Sequence, residues 1–143
     1  MSHSLNNIWV HIVFTTKNRE PLIKQDFEER LFRFMTKQLV ETGCYVEEIN
    51  GIPDHVHVLF KLSPTKSISE VLKQLKGSTS FWINDKKVTN GKFTWQTGYS
   101  SFSVSEFYVE KIKNYIRNQK EHHKIKQQTT EEELLYLNSV LNP

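Results

Sequence analysis

An α+β fold, an antiparallel sheet with helices packed against one face, is what this sequence predicts, on three observations. Several stretches alternate apolar and polar residues at a period of two, as half-buried strands do. Between them the apolar spacing lengthens to that of an amphipathic helix. The order of these switches runs β, α, β, β, α, β and then further helices. That order is the split βαβ, ferredoxin-like arrangement, whose second sheet face is left for ligands or another subunit. It hosts many functions, so the fold alone names none.

Each element has its own warrant. "NIWVHIVFTT" (7–16) sets Ile8, Val10, Ile12 and Phe14 against Trp9, His11 and Val13, and reads as the first strand. "KQDFEERLFRFMTKQLVETG" places Phe27, Leu31, Phe34 and Met35 on one helical face, with Gly43 positioned to end the helix. "CYVEEINGI" and "DHVHVLFKL" are strand-like runs separated by Gly51 and Pro53, which mark a turn between an antiparallel pair. Ser67 and Glu70 have capping-box spacing ahead of Ile68, Val71, Leu72 and Leu75, starting a helix that runs toward Trp82. "KKVTNGK" is a turn, and "FTWQTGYSSFSV" holds one or two short strands around Gly98. From Ser105, the residues Phe107, Tyr108, Ile112, Tyr115, Ile116 and Gln119 trace a third helix. Thr130 and Glu133 cap a short fourth one carrying Leu134, Leu137 and Leu141.

The 143 residues suit one compact domain spanning 1–143. A single cysteine, Cys44, excludes an internal disulfide and a Cys-based zinc site within one chain, which fits a reducing compartment. With no signal-peptide pattern and no apolar run long enough to cross a bilayer, the expectation is a soluble cytoplasmic protein. The net charge of +3 is mild but unevenly placed.

Chemistry concentrates in "PDHVHVLF". On a strand, His55 and His57 point to the same face with Cα atoms ~6–7 Å apart. Two imidazoles at that spacing can converge on one ion, while Val56, Val58 and Phe60 turn toward the helices. The plainer alternative is a pair of half-exposed strand histidines. On the third helix Tyr115 and Gln119 are i and i+4, hence neighbours on one face. A phenol beside a carboxamide can act as a nucleophile next to a metal ligand, provided a cation or base assists a group whose pKa is ~10. Tyr115 could equally be an ordinary core aromatic.

The ordered set "WVHIVFTTKNR", "NGIPDHVHVLF", "TWQTGYSSFSV" and "YIRNQ" resembles the HUH-type single-tyrosine transposases, called TnpA, that mobilise the smallest bacterial insertion sequences. The resemblance spans nearly the whole chain. It implies that His55 and His57 are metal ligands around Val56, that Gln119 is the third protein ligand, and that Tyr115 is the catalytic nucleophile. It further implies a divalent cofactor, Mg2+ or Mn2+, and cleavage and rejoining of single-stranded DNA with hairpin ends through a 5′-phosphotyrosine. Asp54 matches the usual flank and is assigned no catalytic role. Because the helix from Ser105 must reach a sheet face that its own helices do not obviously cover, the family's solution is implied too: a homodimer whose tyrosine helix completes the partner's histidine pair.

Electrostatics agree with a polyanionic substrate. "KIKNYIRNQKEHHKIK" carries Lys111, Lys113, Arg117, Lys120, Lys124 and Lys126 against Glu121 as its only acid. Lys17, Arg19, Lys73 and Lys76 are further candidates for DNA-backbone contact, and Trp95 or Tyr99 could stack on unpaired bases, although core packing is the plainer fate of both. Three alternatives remain at this stage: a ferredoxin-like module that binds single-stranded nucleic acid without cutting it, a small hydrolase that activates water at His55 and His57, and a housekeeping relative acting on dispersed palindromic repeats.

Overall fold

A computed structural model of the chain describes residues 4–121 and Glu133. Four strands, β1 (Trp9–Thr15), β2 (Tyr45–Ile52), β3 (His55–Lys61) and β4 (Ser100–Val104), form a sheet in the order β2-β3-β1-β4. All three pairings are antiparallel, as the split βαβ reading requires. The helices are α1 (Gln25–Glu41), α2 (Ile68–Lys86) and α3 (Val109–Arg117), with one-turn 3-10 segments at Lys17–Arg19 and Glu106–Tyr108.

The alternation of β1 and β3 divides the protein into two cores. Val10, Ile12, Phe14, Val56, Val58 and Phe60 bury one sheet face against Phe27, Leu31 and Met35 of α1 and Leu72 and Leu75 of α2. Each such side chain, fully buried, contributes roughly 1.5–3 kcal/mol of transfer free energy. The N-terminus of α2 is the capping box read from the sequence: Ser67 Oγ accepts from the Glu70 N–H at 3.1 Å, and Glu70 Oε1 accepts from the Ser67 N–H at 3.2 Å.

The opposite face departs from the expectation of an open surface, for α3 of the same chain covers it. Val109, Ile112 and Ile116, spaced three and four apart, make a narrow apolar stripe that packs on Trp9, Val13, Leu59 and Val104. One smaller departure concerns a turn, while Trp95 takes the core position that was its plainer reading. Gly51 lies inside β2 rather than in the turn, and a Cβ there would sit 2.2 Å from the His55 carbonyl oxygen, so this is a site of close backbone approach. Trp95 is core, not a base-stacking surface: it is 6% exposed, and its Nε1–H donates to Thr79 Oγ1 at 2.9 Å.

Of the stretch around Gly98, only Ser100–Val104 is a strand, with Trp95 making an isolated bridge to Thr16. Of the expected fourth helix, Glu133 is described and helical, whereas Thr130, Leu134, Leu137 and Leu141 lie outside the described residues, as do Lys124 and Lys126. No helix among the described residues is long and apolar enough to cross a membrane.

Candidate metal centre and nucleophile

His55 and His57 face the α3 side of the sheet and are fully buried, so the half-exposed alternative does not hold. Their rings have centroids 5.0 Å apart. Register explains the convergence. His57 lies opposite Val13 of β1 and Asn50 of β2, and His55 opposite Thr15 and Ile52, so both rings occupy the middle of a covered face.

Each ring is held by its Nδ1 atom. His55 Nδ1 lies 2.7 Å from Asp54 Oδ1, and His57 Nδ1 lies 2.9 Å from His11 Nε2. Carboxylates face both ring nitrogens of His55, Asp54 at Nδ1 and Glu133 at Nε2, and can only accept; Asp54 holds the Nδ1 proton, so Nε2 is the nitrogen that a metal ion can take over from its proton. Burial, then the neighbouring His57, push the His11 pKa well below its ordinary value, against a smaller opposing effect of Glu133. His11 is therefore a neutral partner; the Glu133 carboxylate can only accept, so His57 carries a proton on Nε2 here, and when an ion takes that proton's place His11 can accept from His57 Nδ1–H. Burial pulls the His55 pKa down, but the hydrogen-bonded carboxylates of Asp54 and Glu133 outweigh it and raise it to about 9.

Both Nε2 atoms meet the carboxylate of Glu133, at 3.2 Å from His55 and 2.7 Å from His57. The same Glu133 Oε1 accepts from the Tyr115 hydroxyl at 2.7 Å. The Tyr115 ring lies edge-on to His57 with centroids 6.0 Å apart. Within one chain, then, α3 carries the phenol to the histidines, and the geometric reason for fetching the tyrosine helix from a second subunit falls away.

Asn50 explains why α3 sits where it does. Its Nδ2 donates to the carbonyls of Ile116 and Arg117, each at 3.0 Å, tying the end of α3 to the strand beside β3. Ion pairs add to this hold: Lys113 to Glu47 at 2.9 Å, Arg117 to Glu48 at 3.2 Å and Lys120 to Glu28 at 2.8 Å. Three members of the expected basic stripe therefore have carboxylate partners in this protein, and Lys111 is exposed. Lys76 donates to the carbonyls of Gln96 and Gly98 at 2.8 and 2.6 Å, bracing that loop, while Lys17, Arg19 and Lys73 are exposed.

Gln119 follows Tyr115 by one helical turn and is fully buried. Its Oε1 has no hydrogen-bond partner among the described residues, and its Nε2 reaches only the Tyr115 carbonyl at 3.5 Å. A buried amide oxygen left without a donor is costly unless something else coordinates it. The Nε2 atoms of the two histidines and the buried carboxylate lie within 4.8 Å of one another and suit a divalent cation, and the Gln119 amide oxygen is a further candidate donor one helical turn from Tyr115.

Sequence reasoning missed His11 and Glu133. His11 was readable only as a member of the first strand's second face, although it shares that face with His57 once β1 and β3 are paired. Glu133 was read as a capping-box residue, and nothing in its local sequence points to a strand far upstream.

Comparison with known proteins comes from three directions. The family model described as "Transposase IS200 like" matches residues 4–119. The transposase for insertion sequence element IS200 of Salmonella typhimurium is 27% identical over 134 residues, covering 90% of this chain and 87% of that protein. The ISDra2 transposase TnpA of Deinococcus radiodurans is 25% identical over 114 residues, 76% of this chain and 81% of its own. Among solved structures, a crystal structure of a Deinococcus radiodurans protein aligns with a TM-score of 0.67 at 22% identity, covering 83% of this chain and 95% of that one. A REP-associated tyrosine transposase bound to a REP hairpin aligns with a TM-score of 0.66 at 11% identity, covering 100% of this chain and 88% of that one.

Proposed function

This chain belongs to the IS200-like transposase family, and from that premise we propose that it cleaves and rejoins single-stranded DNA at insertion-sequence ends, with Tyr115 as the nucleophile. One observation carries the reading: the Tyr115 hydroxyl and the Nε2 atoms of His55 and His57 all lie within 3.2 Å of a single carboxylate, that of Glu133. A phenol this close to two inward-facing imidazoles is placed to attack a phosphate held by the same groups.

In the proposed site His55, His57 and Gln119 would hold Mg2+ or Mn2+, the buried amide oxygen supplying a hard donor beside two imidazoles that by themselves favour softer divalent ions. When bound, such an ion polarises a non-bridging phosphoryl oxygen and offsets the charge that gathers in the transition state. The Tyr115 oxygen would bond to phosphorus as the bond to the 3′ oxygen breaks; the phenol gives up its proton by way of the Glu133 carboxylate that it already hydrogen-bonds, and the 3′ oxygen takes up one proton from solvent and departs as a hydroxyl. The new 5′-phosphotyrosine retains a phosphodiester of similar energy, so a different 3′-hydroxyl can reverse the step without ATP. Asp54 and His11 keep the imidazoles in one tautomer throughout.

The proposed partner is a hairpin-ended single strand in the cytoplasm, in line with the REP hairpin bound by one structural relative. Backbone contacts are assigned to the exposed Lys17, Lys73 and Lys111 before the carboxylate-paired Lys113, Arg117 and Lys120, and to Arg19 for its place in the groove beside the histidines. Arg19 and Tyr99 line a groove of about 320 Å3 together with Val13 and Thr15, the residues opposite His57 and His55, so a strand leaving the histidines can follow it. In the homodimer implied by the resemblance, α3 of a second copy would make the same contacts that α3 makes here within its own chain.

Cleavage of an oligonucleotide drawn from the DNA flanking the gene tests the reading. Tyr115→Phe is expected to abolish cleavage while hairpin binding persists, and His57→Ala to abolish it by removing a ligand. Cleavage by Tyr115→Phe at the wild-type rate would refute the proposal in favour of water activation. Mixing Tyr115→Phe with His57→Ala decides the dimer question, because activity returns only if the tyrosine helix is exchanged.

A further inference from the structure

The proposed ligands supply no negative charge, yet a buried anion lies among them. Glu133 is 1% exposed, and a carboxylate so far from water is costly unless positive or hydrogen-bonding groups accompany it, a part that His55, His57 and Tyr115 play in the metal-free protein and that a divalent ion would share when bound. We propose that Glu133 is an anionic ligand of the same hard divalent ion and that, through its hydrogen bond to the phenol, it positions the nucleophile against that ion. The inference rests on the metal reading given above and adds a residue to it.

Four features support this assignment. His55, His57 and Glu133 offer ligand atoms that all lie within 4.8 Å of one another. The carboxylate oxygens lie 2.7 and 3.2 Å from the two Nε2 atoms, so all three side chains direct donor atoms at one place where an ion could be held. Chemistry points the same way: Mg2+ and Mn2+ favour carboxylate oxygen, whereas two imidazoles alone favour softer metals. One negative charge also lowers the net charge of the loaded site and strengthens its hold on the ion before any phosphate arrives. Finally, the Tyr115 hydroxyl donates to Glu133 Oε1 at 2.7 Å, so the residue that binds the ion also fixes where the phenol oxygen lies.

Mn2+ binding to the full chain without DNA, followed by calorimetry and by loss of the free Mn2+ paramagnetic resonance signal, tests the proposal. Glu133→Gln, which keeps the shape and removes the charge, is expected to weaken Mn2+ binding at least tenfold. Glu133→Asp, one methylene shorter, should fall between it and the wild type, and it guards against a folding defect in the first variant. Unchanged or tighter Mn2+ binding by folded Glu133→Gln, with Tyr115-dependent cleavage intact, would overturn the ligand role and leave the proposed function standing. If His57→Ala also binds Mn2+ like the wild type, the histidine site itself fails and this proposal fails with it.

Discussion

His11 Nε2 lies 2.9 Å from His57 Nδ1, across the β1–β3 pair and on the covered face of the sheet. His11 pairs in register with Leu59, two residues along from His57, so the contact is a diagonal one between strands. It makes His11 the group that chooses which nitrogen of His57 looks inward. Replacing it with Phe keeps a flat ring in the apolar setting and removes the acceptor. We expect His11→Phe to fold and to lose about 10–100-fold in Mn2+ affinity by calorimetry, the usual range for a partner that orients a ligand. Affinity equal to wild type would mean that the hydrogen bond does not set the tautomer.

Gly51 is a point of close approach between β2 and the His55 backbone. A methyl group there would meet the His55 carbonyl oxygen at 2.2 Å, and neither atom is the end of a flexible side chain. Gly51→Ala must push the two strands apart, at a cost of roughly 1–3 kcal/mol for forced repacking. Urea unfolding should show a lower midpoint with an unchanged slope, and Mn2+ affinity should fall because His55 moves. A wild-type midpoint would show that the approach is looser than described.

Docking of α3 is predicted to weaken in acid. Glu47 has its pKa lowered from the ordinary 4.5, chiefly by its hydrogen bond to Lys113, whose own pKa is raised by the same contact. A depressed carboxylate contributes stability that is present above its unfolded pKa and lost as pH falls through the lower folded value. The contribution should therefore vanish as the solution is taken down through and below 4.5. Amide hydrogen exchange in Val109–Arg117 should accelerate over that window in the wild type, and Glu47→Gln should show the faster exchange already at neutral pH. Identical exchange profiles for the two proteins would remove Glu47 from the account of how Tyr115 is held.

Much of this molecule was legible from spacing because spacing is what local physics acts on. The capping box at Ser67 and Glu70, the alternation of β1 and the shared face of His55 and His57 each follow from neighbours a few residues apart. What escaped depends on contacts between distant segments. Gly51 looks like a turn residue until β3 is laid beside it. The lysines of α3 read as an open cationic stripe because Glu28, Glu47 and Glu48, which pair with three of its cations, come from α1 and β2. Burial of the histidines was hidden for the same reason: the helix that covers them starts well after the strand that bears them.

The most direct measurement is to incubate the protein with Mn2+ and a single-stranded oligonucleotide spanning an element end, digest it, and locate any covalently bound nucleotide by mass spectrometry. The account predicts a 5′-phosphate ester on Tyr115, formed only with metal and absent from His57→Ala. Cleaved DNA with no protein adduct, or an adduct on any residue other than Tyr115, would contradict it.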